Sequence, residues 1–223
     1  MTIRLTHSYS SLKQFENCPY NYYNQRIAKK VKDKGGEATI WGEQLHKMLE
    51  ERLKGVTPLP EAVAHHEGMV AAVLKGVGGG ELHVEKELTL NDKLAPTGWW
   101  DGDAWLRSKL DVLILKSGGT TATVMDWKTG KRRVDPFQLK LFAAQTLTHY
   151  PSVDTVNTVL VWLKDAKMDP MTYTRSQLPA VWEEVLAKTA RIEEAAEADN
   201  WPARPSGLCP YCPCKDFCEY ARK

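Results

Sequence analysis

Residues 104–130 read AWLRSKLDVLILKSGGTTATVMDWKTG, and this stretch decides the fold. Two apolar, β-branched runs, 104–115 and 121–127, flank Gly118-Gly119, which predicts two strands joined by a tight hairpin turn. Asp111 interrupts the first run. Asp126 ends the second and is followed by Trp127 and Lys128. A hairpin sets the ends of neighbouring strands side by side, so the two carboxylates can share a divalent cation. Lys128, two residues past Asp126, falls on the same side of its strand. Asp-x-Lys taken alone also describes an exposed ion pair on a hairpin, so its surroundings have to decide between the two readings.

Working outward, Leu82 to Leu90 alternates as a further strand. Residues 37–54 read as a long helix carrying Trp41, Leu45, Met48, Leu49 and Leu53 at helical spacing. Helices are also expected after Ser8 or Ser10 to about Asn17, from Pro19, over 60–75 up to Gly76, over 136–149, and from Leu178 to about Asn200. A strand is expected at 156–163. Helices, a strand meander, a helix, a strand and a helix describe an α/β domain with a mixed sheet. The domain is read as one unit over 1–223, with N-terminal helices over 1–76, a core over 81–164, and a final helix and cysteine tail over 178–223.

On the helix at 37–54, Gly42, His46 and Glu50 recur every fourth residue and share one face. A glycine beneath a histidine and a glutamate suggests close packing with a polar group aimed at a site. Imidazole nitrogen together with carboxylate oxygens suits manganese. Two carboxylates and a lysine suit metal-assisted phosphodiester hydrolysis, the acids holding Mg²⁺ or Mn²⁺ and the ammonium offsetting developing charge.

Cys18 stands alone, while Cys209, Cys212, Cys214 and Cys218 fall close together near the C-terminus. An odd count in a chain expected to be cytoplasmic argues against a disulfide framework. The Cys-x2-Cys and Cys-x5-Cys spacings suit three thiolates on one metal centre, and a tail docked on the N-terminal helices would bring Cys18 as a fourth. Zinc and an iron–sulfur cluster both remain open on spacing alone. The 30 basic and 28 acidic residues neither demand nor exclude nucleic acid, since local patches matter more than the sum. No apolar run is long enough for a membrane helix, and the opening MTIRLTHSYS has no basic-then-apolar signal, so no membrane partner and a cytoplasmic location are expected.

Together these residues resemble the PD-(D/E)xK nuclease superfamily, in its RecB-like and Cas4-like branch with a four-cysteine iron–sulfur cluster. The matching segments are Ser8-Tyr9-Ser10-Ser11-Leu12…Phe15…Cys18-Pro19…Tyr22, Gly42-x3-His46-x3-Glu50, Asp111 with Asp126-Trp127-Lys128-Thr129-Gly130, Gln138-x3-Phe142, and Cys209-x2-Cys212-x5-Cys218. Lys109 stands where the branch has glycine, and Phe142 where it has tyrosine. The resemblance implies a restriction-endonuclease-like mixed β-sheet flanked by helices, with the N-terminal helices and the cysteine-rich tail forming a metal-cluster lobe. It implies that His46, Asp111, Asp126 and the Trp127 carbonyl bind Mg²⁺ or Mn²⁺, that Lys128 is catalytic, and that Gln138 positions DNA or metal. Cys18, Cys209, Cys212 and Cys218 would hold the [4Fe-4S] cluster, with zinc as the alternative and Cys214 spare. Glu85 and Glu87 are candidate supporting acids.

The function implied is a metal-dependent DNA exonuclease acting on single strands or duplex ends in phage or bacterial recombination or repair, with a possible recombination or helicase partner. The alternative is a non-catalytic DNA-binding module with structural zinc. No Gly-x4-Gly-Lys-Ser/Thr loop occurs, so any motor would be another polypeptide.

Overall fold

The computed structural model describes residues 5–222. In chain order the helices are α1 (Tyr9–Asn17), α2 (Pro19–Tyr22), α3 (Glu37–Leu53), α4 (Glu67–Val77), α5 (Pro136–His149) and α6 (Leu178–Glu197). The strands are β1 (Glu81–Leu90), β2 (Leu106–Leu115), β3 (Thr121–Lys128), β4 (Thr155–Trp162) and β5 (Lys167–Thr174). The chain forms two compact units, residues 36–182 and residues 1–35 with 183–223.

The larger unit is built on one five-stranded sheet in the order β1-β2-β3-β4-β5. Gly118 and Gly119 both take positive φ, 95° and 75°, which turns β2 back into β3. β1, β2 and β3 run antiparallel; β3 and β4 are parallel, as the intervening α5 permits; β5 returns antiparallel to β4. One face of the sheet, with Val112, Ile114 and Trp127, packs on Leu45, Leu49 and Leu53 of α3 and Val70 and Val73 of α4. The other, with Leu110, Leu113, Ala122 and Val124, packs on Phe142, Ala143 and Leu147 of α5. The expected restriction-endonuclease-like α/β architecture, a mixed sheet between helical layers, is what forms.

Alternation along β1 and β2 slips at one row. Leu82 and Val84 pack with Val112 and Ile114 on the α3 side, whereas Leu88 packs with Leu110 on the α5 side. The register is the same on both sides of the slip, with Val84 opposite Val112 and Lys86 opposite Leu110. Between them lie Glu85, at a φ of 58°, and Asp111. Both strands turn over at that row. A non-glycine residue in the left-handed region costs of the order of 1 kcal/mol, a strain commonly found at functional sites. The polar interruption of β2 therefore marks a twist as well as a carboxylate.

Several expected boundaries move. The segment expected as one helix over 60–75 is a 3-10 turn, Glu61–His66, followed by α4, and the left-handed cap is Gly78 rather than Gly76. β2 begins at Leu106, not residue 104. β5 was not expected from the sequence. Among the described residues no helix is long and apolar enough to cross a membrane.

The smaller unit joins the two ends of the chain. Ser8 caps α1 reciprocally with Ser11, whose backbone N–H donates to Ser8 Oγ at 3.2 Å while Ser11 Oγ accepts from Ser8 N at 2.8 Å. Phe15 and Tyr22 pack on Trp201, with ring centroids 6.3 and 5.9 Å away.

Candidate active site

The site lies within the larger unit, where β2 and β3 pass beneath α3. Trp127 N donates to Asp111 Oδ2 at 2.7 Å, tying the first acid to the backbone of the next strand. His46 Nδ1 approaches Asp111 Oδ1 at 3.5 Å. Asp126, only 6% exposed, accepts from Gln138 Nε2 at Oδ1, at 3.0 Å. Its buried Oδ2 meets the Lys128 ammonium at 2.6 Å but receives no well-angled hydrogen bond. This environment rules out the solvated surface pair.

Helix α3 reaches the site because Gly42 has no side chain. A Cβ there would lie 2.8 Å from Thr129 Oγ1, just past the Asp-Trp-Lys segment. His46, one turn on, is thereby set over Asp111. Glu50, the third residue of the stripe, pairs instead with Lys47 and Lys54 on its own helix, at 3.1 and 2.7 Å, so its side chain is held by the helix surface. Glu85 forms an ion pair with Lys109 from the row opposite Asp111. A cleft of ≈ 600 Å³ opens here, lined by His46, Glu50, Glu85, Lys109, Asp111 and Thr129 among others. Glu87 is exposed further along β1. Glu85 carried a weak sequence signal, an acid flanked by Val84 and Lys86; its left-handed backbone did not show.

The charges are mutually stressed. Burial pushes the Asp126 carboxyl up to about 6, against the pull of Lys128 and with Asp111 adding to the rise. Burial lowers the His46 pKa, but Asp111, with Asp126 and Glu85 behind it, outweighs that and raises it. Two buried carboxylates, an imidazole and an acid across the sheet form an electron-rich donor set whose repulsion a divalent cation would relieve. The buried Asp126 Oδ2, lacking a well-angled hydrogen bond, is the atom best suited to such a cation, so the chemistry of the donors fits. Among the described residues, however, no three His, Cys, Asp or Glu side chains stand in a closed ligating arrangement.

The cysteines lie in the smaller unit. Cys18 Sγ accepts from Arg204 N at 3.4 Å, Cys209 Sγ from Ser206 N at 3.2 Å, and Cys212 Sγ from Asn21 Nδ2 at 3.0 Å. Cys218 is half-buried, and all five cysteines are free. Cys214, expected to be spare, is the fully buried one. Burial, then Cys212, Cys18 and Cys218, push its thiol up to about 12.

These features define a class: an α/β protein that presents a buried carboxylate pair and a lysine from adjoining strands beneath a histidine-bearing helix. The chain belongs to the PD-(D/E)XK nuclease superfamily, whose family model matches residues 6–219. Its fold is similar to the crystal structure of SSO0001, with a TM-score of 0.51 and 13% identity over 99% of this chain and 89% of that one. It is also similar to a candidate exonuclease from Eubacterium rectale, with a TM-score of 0.55 and 12% identity over 93% of this chain and 86% of that one. At such identities the likeness is one of fold. No curated protein matches the chain in sequence.

Proposed function

We propose that the protein is a divalent-metal-dependent DNA exonuclease that hydrolyses phosphodiester bonds at single-stranded or duplex ends. The observation that carries this reading is the buried Asp126 held between Gln138 and Lys128, with Asp111 and His46 beside it. The exonuclease description of the Eubacterium rectale neighbour agrees with it. His46, Asp111, Asp126 and the Trp127 carbonyl would hold Mg²⁺ or Mn²⁺, which supplies an acidified water and charge neutralisation at the phosphate. Gln138 fixes Asp126 Oδ1 by donating to it. Trp127 N–H does the same for Asp111. Lys128, released from Asp126, brings its ammonium to the phosphate and offsets charge that develops there.

The decisive test is Lys128→Ala. Hydrolysis of linear DNA in Mg²⁺ or Mn²⁺ should fall at least about 100-fold while DNA binding is retained. Wild-type-like cleavage by this variant overturns the mechanism and favours the alternative, a DNA-binding module with structural zinc.

We also keep the [4Fe-4S] cluster, with zinc as the alternative, within the proposal. Support comes from the gathering of all five free cysteines in the smaller unit and from the N–H donors on the Cys18, Cys209 and Cys212 sulfurs, since thiolate clusters are tuned by such hydrogen bonds. Metal content of anaerobically purified single variants checks it. Cys18→Ser and Cys212→Ser should lose the metal, and iron-free, zinc-free wild-type protein removes the cluster from the reading. Roles in recombination or repair, and a helicase partner, follow the family resemblance.

A further inference from the structure

The most exposed large apolar side chain in the larger unit is Trp100, at 85% exposure. It sits in the loop between β1 and β2, beside Trp99. The Arg107 guanidinium lies over both rings, 5.3 Å from the centroid of Trp99 and 5.5 Å from that of Trp100. Arg107 Nε is buried and, among the described residues, has no hydrogen-bond partner.

The loop holds these groups rigidly. Asp101 Oδ2 accepts from Gly98 N at 2.7 Å and Asp103 from Asn91 Nδ2 at 3.2 Å, while the single Thr97 hydroxyl hydrogen lies between Asp103 Oδ1, at 2.7 Å from Thr97 Oγ1, and Asp101 Oδ2, at 3.0 Å. A Cβ at Gly98 would lie 2.7 Å from the Asp101 carboxylate, so glycine here lets that carboxylate close onto the turn. Trp100 is thus held out in solvent by a fixed frame. Exposing an indole on an ordered loop forgoes its burial energy, and a partner with a flat apolar face would recover it.

The position of the pair points to the partner. Arg107 and Asp111 are four residues apart on β2, about 13 Å along the strand. A groove of ≈ 650 Å³ lined by Glu85, Glu87, Thr89, Gly98 and Trp99 among others runs along β1, and Glu85 also lines the acid cleft. We propose that the Trp99–Arg107–Trp100 stack is a base-stacking station for single-stranded DNA, taking an unpaired nucleobase on Trp100 and its phosphate on Arg107 a few nucleotides from the scissile bond. This rests on the nuclease reading and narrows its substrate. Aromatic faces with a cation at hand suit unpaired bases of any sequence. Paired bases inside a duplex do not offer that face, so strands with a single-stranded segment are the preferred substrate.

The test is a cycle between protein and oligonucleotide, read as binding in Mg²⁺ by the Lys128→Ala protein so that no strand is cut. An abasic site is stepped along a single-stranded oligonucleotide. At one position it should weaken binding about fivefold or more. Adding Trp100→Ala should abolish that position's effect, and Trp100→Phe should restore it. Arg107→Gln should weaken single-strand binding and lower its salt dependence. An abasic profile that is the same with and without Trp100→Ala overturns the proposal, as does equal weakening of single-stranded and blunt duplex DNA, or no binding of single strands. Cleavage by the wild-type protein is scored separately. Position-specific coupling without any cleavage would overturn the nuclease reading alone.

Discussion

Asp126 illustrates how a single side chain is set against its surroundings. Its carboxyl is pushed up to about 6 from an ordinary value of 3.8, so the native state holds the neutral form better than the unfolded chain does. That preference is fully expressed below about pH 4 and is lost as pH rises through about 6, which leaves a buried, destabilising charge at neutral pH. Asp126→Asn should therefore abolish hydrolysis and at the same time stabilise the metal-free protein by about 1–3 kcal/mol at pH 8, a gain that vanishes near pH 4. Thermal melting in EDTA at the two pH values checks this; an unchanged or lowered midpoint at pH 8 would mean that Lys128 fully compensates the charge. The two aspartates and Lys128 were legible in sequence because Asp111 interrupts an apolar strand and Asp126 and Lys128 close the next one. The backbone inversion at Glu85 was not, because a positive φ at a non-glycine residue leaves no mark in composition or period.

Among the secondary-structure elements, the approach of α3 to the turn after β3 depends on Gly42. A helical Gly→Ala substitution ordinarily stabilises by about 1 kcal/mol. Here the added methyl would meet Thr129 Oγ1 at 2.8 Å, so Gly42→Ala should instead destabilise and displace His46 from Asp111. Thr129→Ala in the same chain removes the obstructing oxygen and should recover most of the loss. Urea denaturation and activity of the two single variants and the double one decide it, and additivity would show that the two residues do not press on each other. This helix was readable from its four-residue stripe, and the hairpin from its paired glycines. β5 escaped because its sequence, KMDPMTYT, carries neither alternation nor a long apolar run. It is an edge strand, tolerant of Pro170, and its order comes from pairing with β4. The helix expected over 60–75 divided because propensity does not distinguish a 3-10 turn from a first helical turn.

Over the whole molecule the histidines shape the response to acid. His7, His66 and His149 have pKa values lowered, in each case chiefly by burial. The unfolded chain takes up these protons first, so their contribution to stability is whole above about pH 6.5 and is lost as pH falls below it. His46 and Asp126, both raised, act in the opposite sense. The melting temperature of metal-free protein should accordingly fall less between pH 7 and 5 in His7→Gln than in wild type, and more in Asp126→Asn. Parallel slopes in all three would show that these groups titrate alike in folded and unfolded chains.

The smaller unit, assembled from residues 1–35 and 183–223, has a consequence for synthesis. On the ribosome the first segment emerges early and then waits until the whole of residues 36–182 has been translated before its other half appears. At ~5–20 residues per second that delay is on the order of ten seconds. During it Phe15 and Tyr22, buried in the finished protein, have no Trp201 to pack against. The nascent N-terminus is thus a natural client for a holding chaperone, while the sheet-bearing unit has all of its own strands at hand and folds first.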